Sequence, residues 1–303
     1  PTLPGILGAS APKINNADMK SYGWEMELSW RDRIEDFNYG VRFTLADGQR
    51  KVLKYPNESG DIYSWYNNKL DGTIWGYTTV GIAQTQEEMN AHLANNKPNW
   101  GSNWGAGDIM YADLNGDGEV TSGSKTLNDH GDLKIIGNSY ARYNFGFTVD
   151  GSWRGLDFSI FLQGTMKRDY WLDGPYFWGA SGDEWQSACF TEHLDYWTPE
   201  HTNAYYPKPY FGNIKKNQEV QSGYLQNAAY LRVKNVQVGY TLPKSWTKKA
   251  AMESVRFYVS GDNLLTWTGI SSIFDPETLG GDWGPGKLYP LQRTLSVGVN
   301  VNF

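Results

Sequence analysis

Residues 295–303 read Leu-Ser-Val-Gly-Val-Asn-Val-Asn-Phe, an unbroken alternation of apolar and polar side chains. In a strand with this pattern one side is entirely apolar: Leu295, Val297, Val299, Val301 and Phe303. A strand that ended on such an edge in water would expose unpaired backbone groups and invite aggregation. A closed barrel in a bilayer has no free edge. The stretch therefore predicts the closing strand of a transmembrane β-barrel.

Composition narrows the class of protein. The 303 residues carry a formal net charge of -6 and no basic run, which gives no reason to expect a nucleic-acid partner. Mean hydropathy is -0.58, and no stretch approaches the ~18 consecutive apolar residues of a membrane helix, so membrane contact is expected from strands. Aromatic residues make up 15% of the chain, which fits aromatic belts at two interfaces or a surface that stacks on ligand. The single cysteine, Cys189, rules out an internal disulfide.

The first residue is Pro1 and no signal peptide opens the chain. We therefore expect the sequence to be a piece of a longer precursor.

Period-two alternation recurs along the chain and predicts about seven strands. Residues 24–30 and 37–45 form one hairpin around the short connection 32–36, and residues 143–149 and 156–162 form another around Arg154-Gly155. Strands follow at 231–240 and 255–259, before the closing one. The alternation slips by one residue near Lys234-Asn235, which indicates a β-bulge.

Connections between these strands alternate between short and long. The long ones are residues 46–140, with a helix signal at 85–95, residues 165–223, crowded with Tyr, Trp and Pro, and residues 263–287. The short connection 241–254 contains a helix-compatible stretch at 245–253. Tight periplasmic turns with long extracellular loops are typical of bacterial outer-membrane barrels. A soluble sandwich explains the alternation equally well, but it does not predict three outsized loops at one end.

Several motifs occur in a fixed order: YGWEMEL (22–28), TIWGY (73–77) followed by GI at 81–82, GDI (107–109), DLNGDG (113–118), IGN (136–138), HLDYW (193–197), YLRVKN (230–235), GYTLP (239–243) and YP (289–290). In this order they resemble the C-terminal part of the SusC/RagA family of TonB-dependent outer-membrane transporters. The resemblance covers nearly the whole chain.

The resemblance implies a barrel of about 22 strands that encloses a plug. Seven strands cannot close such a barrel, so the earlier strands, the plug and the TonB-contacting segment are expected upstream. The predicted fold is all-β: residues 1–303 supply the C-terminal seven or so strands of a plugged antiparallel transmembrane barrel. Residues 46–140 are predicted to form an extracellular loop with a calcium-type motif, and residues 165–223 an aromatic-rich extracellular loop.

Oxygen-bearing side chains occupy the first, third, fifth and seventh positions of an EF-hand-like loop: Asp113, Asn115, Asp117 and Glu119. Gly118 stands at the sixth position, but the twelfth is Ser124 where a bidentate Glu is expected. Asp129 or Asp132 could supply the missing carboxylate. These six oxygen ligands predict a structural Ca²⁺, and the alternative is an Asx-rich turn without metal.

The aromatic side chains of residues 165–223 are suited to stack on sugar rings or to grip a peptide. Trp171, Tyr176 and Trp178 are the predicted substrate contacts. The resemblance places residues 193–207 among features shared across the family, so we expect those to set loop structure.

No enzyme chemistry is apparent in the sequence. His130, His193 and His201 lack zinc-ligand spacing and a nucleophile partner. Glu25 and Glu27 share a strand face, but they do not flank a dry cleft as glycosidase carboxylates do.

The expected function is energy-coupled import of a large nutrient across the outer membrane, most often in this family an oligosaccharide and otherwise a peptide. Cargo would be captured between the outward loops and a SusD-like surface lipoprotein, and TonB would then displace the plug. Two rival interpretations are a secreted calcium-stabilised carbohydrate-binding β module and a purely structural adhesin barrel.

Overall fold

The structure is a computed structural model that describes residues 15–180, 187, 189–212, 216–280 and 284–303. In chain order its strands are β1 (Asp18–Ile34), β2 (Phe37–Lys54), β3 (Thr73–Gly76), β4 (Thr79–Ile82), β5 (Lys97–Pro98), β6 (Ile109–Tyr111), β7 (Glu119–Val120), β8 (Lys134–Asn138), β9 (Arg142–Trp153), β10 (Leu156–Lys167), β11 (Asp169–Tyr170), β12 (Gln226–Thr241), β13 (Ser254–Gly269) and β14 (Thr294–Asn302). The helices are α1 (Gln86–Leu93), α2 (Pro175–Trp178) and α3 (Lys244–Thr247), with 3₁₀ turns at Thr191–Leu194 and Lys248–Ala250. Over these ranges, every helix is too short or too polar to cross a membrane.

Seven long strands form one antiparallel sheet in the order β1-β2-β9-β10-β12-β13-β14, and β11 adds a short pair to β12. Every neighbour in the sheet is also the next long strand in the sequence, so the sheet is an up-and-down meander. This confirms the predicted seven strands and both predicted hairpins. The sheet is not closed within the described residues, where β1 and β14 are its edges.

Register places the apolar side chains of all seven strands on the same face. Residues directly opposite each other in an antiparallel pair share a face. One row runs Trp30, Val41, Val149, Ile160, Val236, Gly261, Leu295, and the next runs Asp32, Tyr39, Gly151, Phe158, Val238, Val259, Val297. Within the described residues the apolar side chains of these rows are exposed near the sheet edges, 83% for Val297, and mostly half-buried on the central strands, and no second layer covers them. This arrangement argues against the soluble-sandwich interpretation, because a sandwich buries this face in its core.

The opposite face of the sheet is polar and carries ion pairs between neighbouring strands. Arg42 Nη2 lies 2.7 Å from Glu27 Oε2, and Arg256 holds Asp157 through two nitrogens. Because the Arg42–Glu27 pair is largely exposed, it contributes at most about 1 kcal/mol. The polar face is therefore suited to contact water.

Every long strand except β14 is longer than the sequence predicts. β2 continues nine residues past the predicted end at Leu45, and β13 continues to Gly269 although residues 263–287 were expected to be loop. Past Leu45 the alternation stops, since Asp47, Gln49 and Lys51 replace the apolar side chains on that face. Hydrophobic period alone therefore could not find the extension of β2.

Local signals predicted smaller features correctly. The pairing of β12 with both neighbours shifts between Val233 and Asn235, which places the predicted bulge at Lys234. Helix α1 begins after Thr85, whose hydroxyl accepts a hydrogen bond from Glu88 N at 3.1 Å, while the Glu88 carboxylate accepts one from Gln84 N. The helical stretch expected at 245–253 is shorter, a turn of α3 followed by a 3₁₀ turn.

The three long insertions share one hydrophobic core. We call the described parts of residues 55–141, 171–225 and 270–293 the cap. Buried side chains from all three segments pack together: Ile62, Tyr77, Ile109, Tyr111, Val120 and Leu133 from the first; Leu172, Phe177, Trp178, Tyr206 and Tyr224 from the second; Ile270, Phe274 and Leu279 from the third. The protein's main buried core thus lies in the cap and not on the sheet.

Phe177→Ala tests whether the cap is one cooperative unit. The side chain is fully buried against the rings of Trp178, Tyr206 and Phe274, so its removal should destabilise the cap by about 3–5 kcal/mol. Hydrogen exchange of the full-length protein should then accelerate in all three insertions. The control is Tyr289→Ala, an exposed aromatic residue. Faster exchange confined to the second insertion would show that the insertions are independent.

Candidate functional site

The calcium-type motif forms a tight turn closed by its own side chains. Asp113 Oδ1 accepts hydrogen bonds from Asn115 N (3.1 Å) and Gly116 N (2.6 Å), and its Oδ2 accepts one from Gly118 N (2.8 Å). Gly116 and Gly118 have φ values of 80° and 88°, a backbone region that glycine adopts readily. The Gly118 N–H, aided by those of Gly116 and Asn115, lowers the pKa of Asp113 below its ordinary value. Asp113 is therefore a carboxylate at neutral pH.

The remaining predicted ligands fall into different environments. Asn115 Nδ2 donates to Asp117 Oδ2 at 2.8 Å, and Asp117 Oδ1 accepts from Glu119 N, so this part of the motif is one chain of Asx turns. Asp132 is fully buried beneath the turn, where it accepts from Leu114 N and Thr121 N. Asp129 instead binds the backbone and hydroxyl of Ser124.

The structure thus brings Asp113, Asn115, Asp117 and Asp132 to one turn but places Asp129 in another. Their oxygens are engaged by backbone N–H groups, and in the described part of the chain no three His, Cys, Asp or Glu side chains converge as metal ligands. A bound cation would have to displace some of these hydrogen bonds. The Ca²⁺ site stays a prediction.

The three predicted substrate contacts lie where the second insertion packs into the core of the cap. Trp178 is only 7% exposed and packs on Phe177 and Tyr224, so it is chiefly a core residue. Trp171 is half-buried beside it, with ring centroids 5.9 Å apart. Tyr176 is half-buried and packs on Phe190. All three therefore pack at least partly within the cap, and their contact with substrate stays a prediction.

A cavity of about 260 Å³ opens beside Trp178, and we call it the Trp178 pocket. Its lining comes from the second insertion and is mostly aromatic and proline. Tyr206 supplies a buried wall, and Leu194 and Phe211 are exposed at its edge. The sequence predicted an aromatic-rich segment here but not a cavity. The cavity exists only because the fold brings the lining segments 189–196 and 206–211 together.

A buried ion pair anchors one wall of this pocket to the first insertion. Lys216 Nζ lies 2.7 Å from Asp108 Oδ2 and donates to Asn103 O at 2.6 Å, and both side chains of the pair are 0% exposed. Asp108 also accepts from Gly105 N and from Asn217 Nδ2. The Lys216 ammonium lies 4.2 Å from the ring centroid of Tyr210. Burial, with Asp108 nearby, raises the pKa of the Tyr210 phenol, which stays neutral.

The sequence did not single out this pair. Asp108 belongs to the GDI motif, but its partner is 108 positions further along the chain. Since a salt bridge leaves no periodic signal, only a fold could have joined the two residues.

The loop histidines are held by hydrogen bonds. His193 Nδ1 accepts from Phe190 N at 3.0 Å and its Nε2 faces Phe177 O at 3.1 Å, which fixes a neutral ring with the proton on Nε2. His201 pairs with Asp195 at 2.7 Å. Both serve loop structure.

No protein-family model matches the chain. Several curated proteins are, however, similar to it in sequence. TonB-dependent receptor P3 of Formosa agariphila is 26% identical over 331 aligned positions, covering 99% of this chain and 30% of the relative. TonB-dependent receptor SusC of Bacteroides thetaiotaomicron is 22% identical, covering 95% of this chain and 27% of SusC.

Solved structures give the same fold. The RagAB peptide transporter superposes with a TM-score of 0.69 at 21% identity, covering 100% of this chain and 31% of that one. Over nearly its whole length the chain is similar to SusC/RagA-type TonB-dependent transporters. It spans about 30% of the length of the relatives that it matches. Those relatives are receptors and transporters by name, and none is named as an enzyme.

The buried Lys216–Asp108 pair should contribute more to the stability of the cap than any surface ion pair. Lys216→Met leaves the Asp108 charge buried and unpaired, which should cost about 3–5 kcal/mol of cap stability, measured by hydrogen exchange. The exposed control Lys208→Met should change it by no more than about 0.5 kcal/mol. The double variant Lys216→Met/Asp108→Asn should recover part of the loss. Equal effects of Lys216→Met and Lys208→Met would contradict this.

Calcium should protect the motif from hydrogen exchange if it binds there. We expect slower exchange across residues 113–132 of the full-length transporter in millimolar Ca²⁺ than in chelator, and loss of that difference in Asp113→Asn. Asp195→Asn, an exposed carboxylate in the second insertion, is the control. Identical exchange with and without Ca²⁺ would identify the motif as a turn without metal.

Proposed function

We propose that this chain forms barrel wall and outer vestibule of a transporter that imports a large nutrient across the outer membrane. The cargo is an oligosaccharide or a peptide, and a SusD-like lipoprotein closes over the cap. The observation that carries the proposal is the continuous apolar face of the seven-stranded sheet, in a chain whose relatives are TonB-dependent receptors.

The height of the apolar band supports an outer-membrane location. Trp24 and Ile34 bound the band on β1, ten residues apart. At about 3.3 Å per residue and a strand tilt of about 40°, this distance gives a band roughly 25 Å tall. Aromatic side chains lie near both ends, Trp153, Tyr240 and Phe257 at the short turns and Trp24 and Trp267 at the other end. That is the pattern of a membrane barrel with two interfacial belts.

The position of the cap supports a role in cargo capture. All three insertions leave the same end of the sheet, opposite the short turns at 35–36, 154–155 and 242–253. With those turns in the periplasm, the cap faces outward. A rigid cap on a barrel mouth offers a preformed surface to cargo and to a lipoprotein lid. The name of the RagAB structures describes a peptide transporter, whereas SusC leaves the cargo class open.

Uptake in the native bacterium tests the proposal. Cells should accumulate fluorescent oligosaccharides or peptides from a mixed pool, and accumulation should fall to background when either this gene or tonB is deleted. Deleting the neighbouring lipoprotein gene should have the same effect. Undiminished uptake in the gene or tonB deletion would overturn the proposal.

Paired variants on β14 test the membrane assignment. Leu295→Arg places a charge on the apolar face, four residues from Val299, which pairs with the belt residue Phe257, and should destabilise the barrel by about 2–4 kcal/mol, lowering its level in outer-membrane fractions. Ser296→Arg, on the polar face of the same strand, should leave that level near wild type. Equal losses from the two variants would contradict a lipid-facing apolar side.

A further inference from the structure

The Trp178 pocket combines an exposed apolar edge with buried aromatic walls. Leu194 is 72% exposed and Phe211 is 64% exposed, although both are large apolar residues. Tyr206 and Trp178, deeper in the lining, are almost fully buried. Apolar residues kept in water around a cavity indicate a place where a ligand replaces that water.

The pocket is held open by contacts that do not depend on a ligand. Lys208 N donates to Gly107 O at 2.8 Å, and Asn217 binds both Ile109 N and Asp108. These bonds tie two of its wall segments to the first insertion, where the buried Lys216–Asp108 pair reinforces them. A cavity supported in this way is preorganised, so little ordering cost is left for binding.

Three polar side chains of the lining already form hydrogen bonds within the protein. Asn217 Oδ1 accepts from Ile109 N, and its Nδ2 donates to Asp108 and to Lys208 O. Both nitrogens of His193 are paired, and Gln218 Nε2 donates to Ala180 O. Trp178 Nε1 has no partner but is sealed from solvent. Few lining groups are therefore left to replace the water that the hydroxyls of a sugar ring would lose, at about 1–3 kcal/mol for each hydroxyl left unpaired.

The pocket therefore favours an apolar ligand, and its volume of about 260 Å³ can hold one large side chain. At its edge Lys208 is exposed, and among the described residues it forms no ion pair. Its ammonium can meet a main-chain carbonyl or carboxylate beside an apolar side chain. We propose that the Trp178 pocket binds one aromatic or leucine-sized side chain of a peptide cargo. This inference rests on the proposed import function and specifies its cargo class.

The chain's single cysteine gives a direct test. Cys189 lines the pocket and is exposed, so alkylation by N-ethylmaleimide reports whether the pocket is filled. The full-length purified transporter is labelled in the presence of Gly-Gly-Xaa-Gly-Gly peptides with Phe, Leu or Ser at the centre, or of maltoheptaose. Cys189→Ser identifies the signal that belongs to this thiol.

The Phe and Leu peptides should slow Cys189 labelling several-fold. The concentration that halves the labelling rate should be roughly 10-fold lower for the Phe peptide than for the Ser peptide. This is the difference in affinity expected from burying one large apolar side chain. Leu194→Asn and Phe211→Ser should each raise that concentration several-fold, and neither threatens the fold because both residues are exposed. Leu114→Asn, an exposed apolar residue elsewhere on the cap, is the matched control.

Three outcomes would overturn the inference: protection by maltoheptaose instead of the peptides, equal protection by the Phe and Ser peptides, or no protection at the highest soluble concentration. Each leaves the import proposal standing, because labelling of purified protein involves no transport. Conversely, cells that fail to import cargo would refute the proposed function even if the peptides protect Cys189.

Discussion

The constraint on which the structure depends is the register of the seven-stranded sheet. Pairing from β1 to β10 is regular apart from a shift at the Asp18 end of β1, and β12 shifts only at Lys234 and between Asn227 and Tyr230. Apolar side chains on separate strands therefore line up in rows. A one-residue slip in any strand would turn its apolar side chains to the polar face. Soluble monomers rarely expose a continuous apolar face across seven strands, which supports the proposal that this face contacts lipid.

The cap depends on the same sheet. Long insertions lose conformational entropy on folding, and their ends are brought together here because the strands that carry them are neighbours. Side chains from all three insertions can then bury one another, with Phe177 of the second against Phe274 of the third. The buried Lys216–Asp108 salt bridge also links the first insertion to the second. A cap built in this way has a fixed shape without a ligand, as the proposed capture of cargo requires.

The sheet could be predicted because its signals are local. Period-two alternation located the strands, the slip at Lys234 located the bulge, and Thr85 with Glu88 located the start of α1. The cap could not be predicted, because its order comes from contacts between residues far apart in sequence. Trp178 was expected to meet substrate and is mainly core, since no local pattern distinguishes an aromatic side chain that packs on another insertion from one that faces water. Asp132 was expected near the Asx-rich turn and does lie there, but as a buried acceptor of backbone N–H groups.

The most direct test of this account is to measure what surrounds each side of one strand. Spin labels placed one at a time along residues 156–162 of β10, in the full-length transporter reconstituted in lipid, report contact with oxygen in the bilayer or with a water-soluble nickel complex. The account predicts oxygen maxima at Phe158, Ile160 and Leu162 and nickel maxima at Asp157 and Ser159, a period of two. Equal access of the nickel complex to both sets, or protection of the apolar set from both reagents, would contradict it.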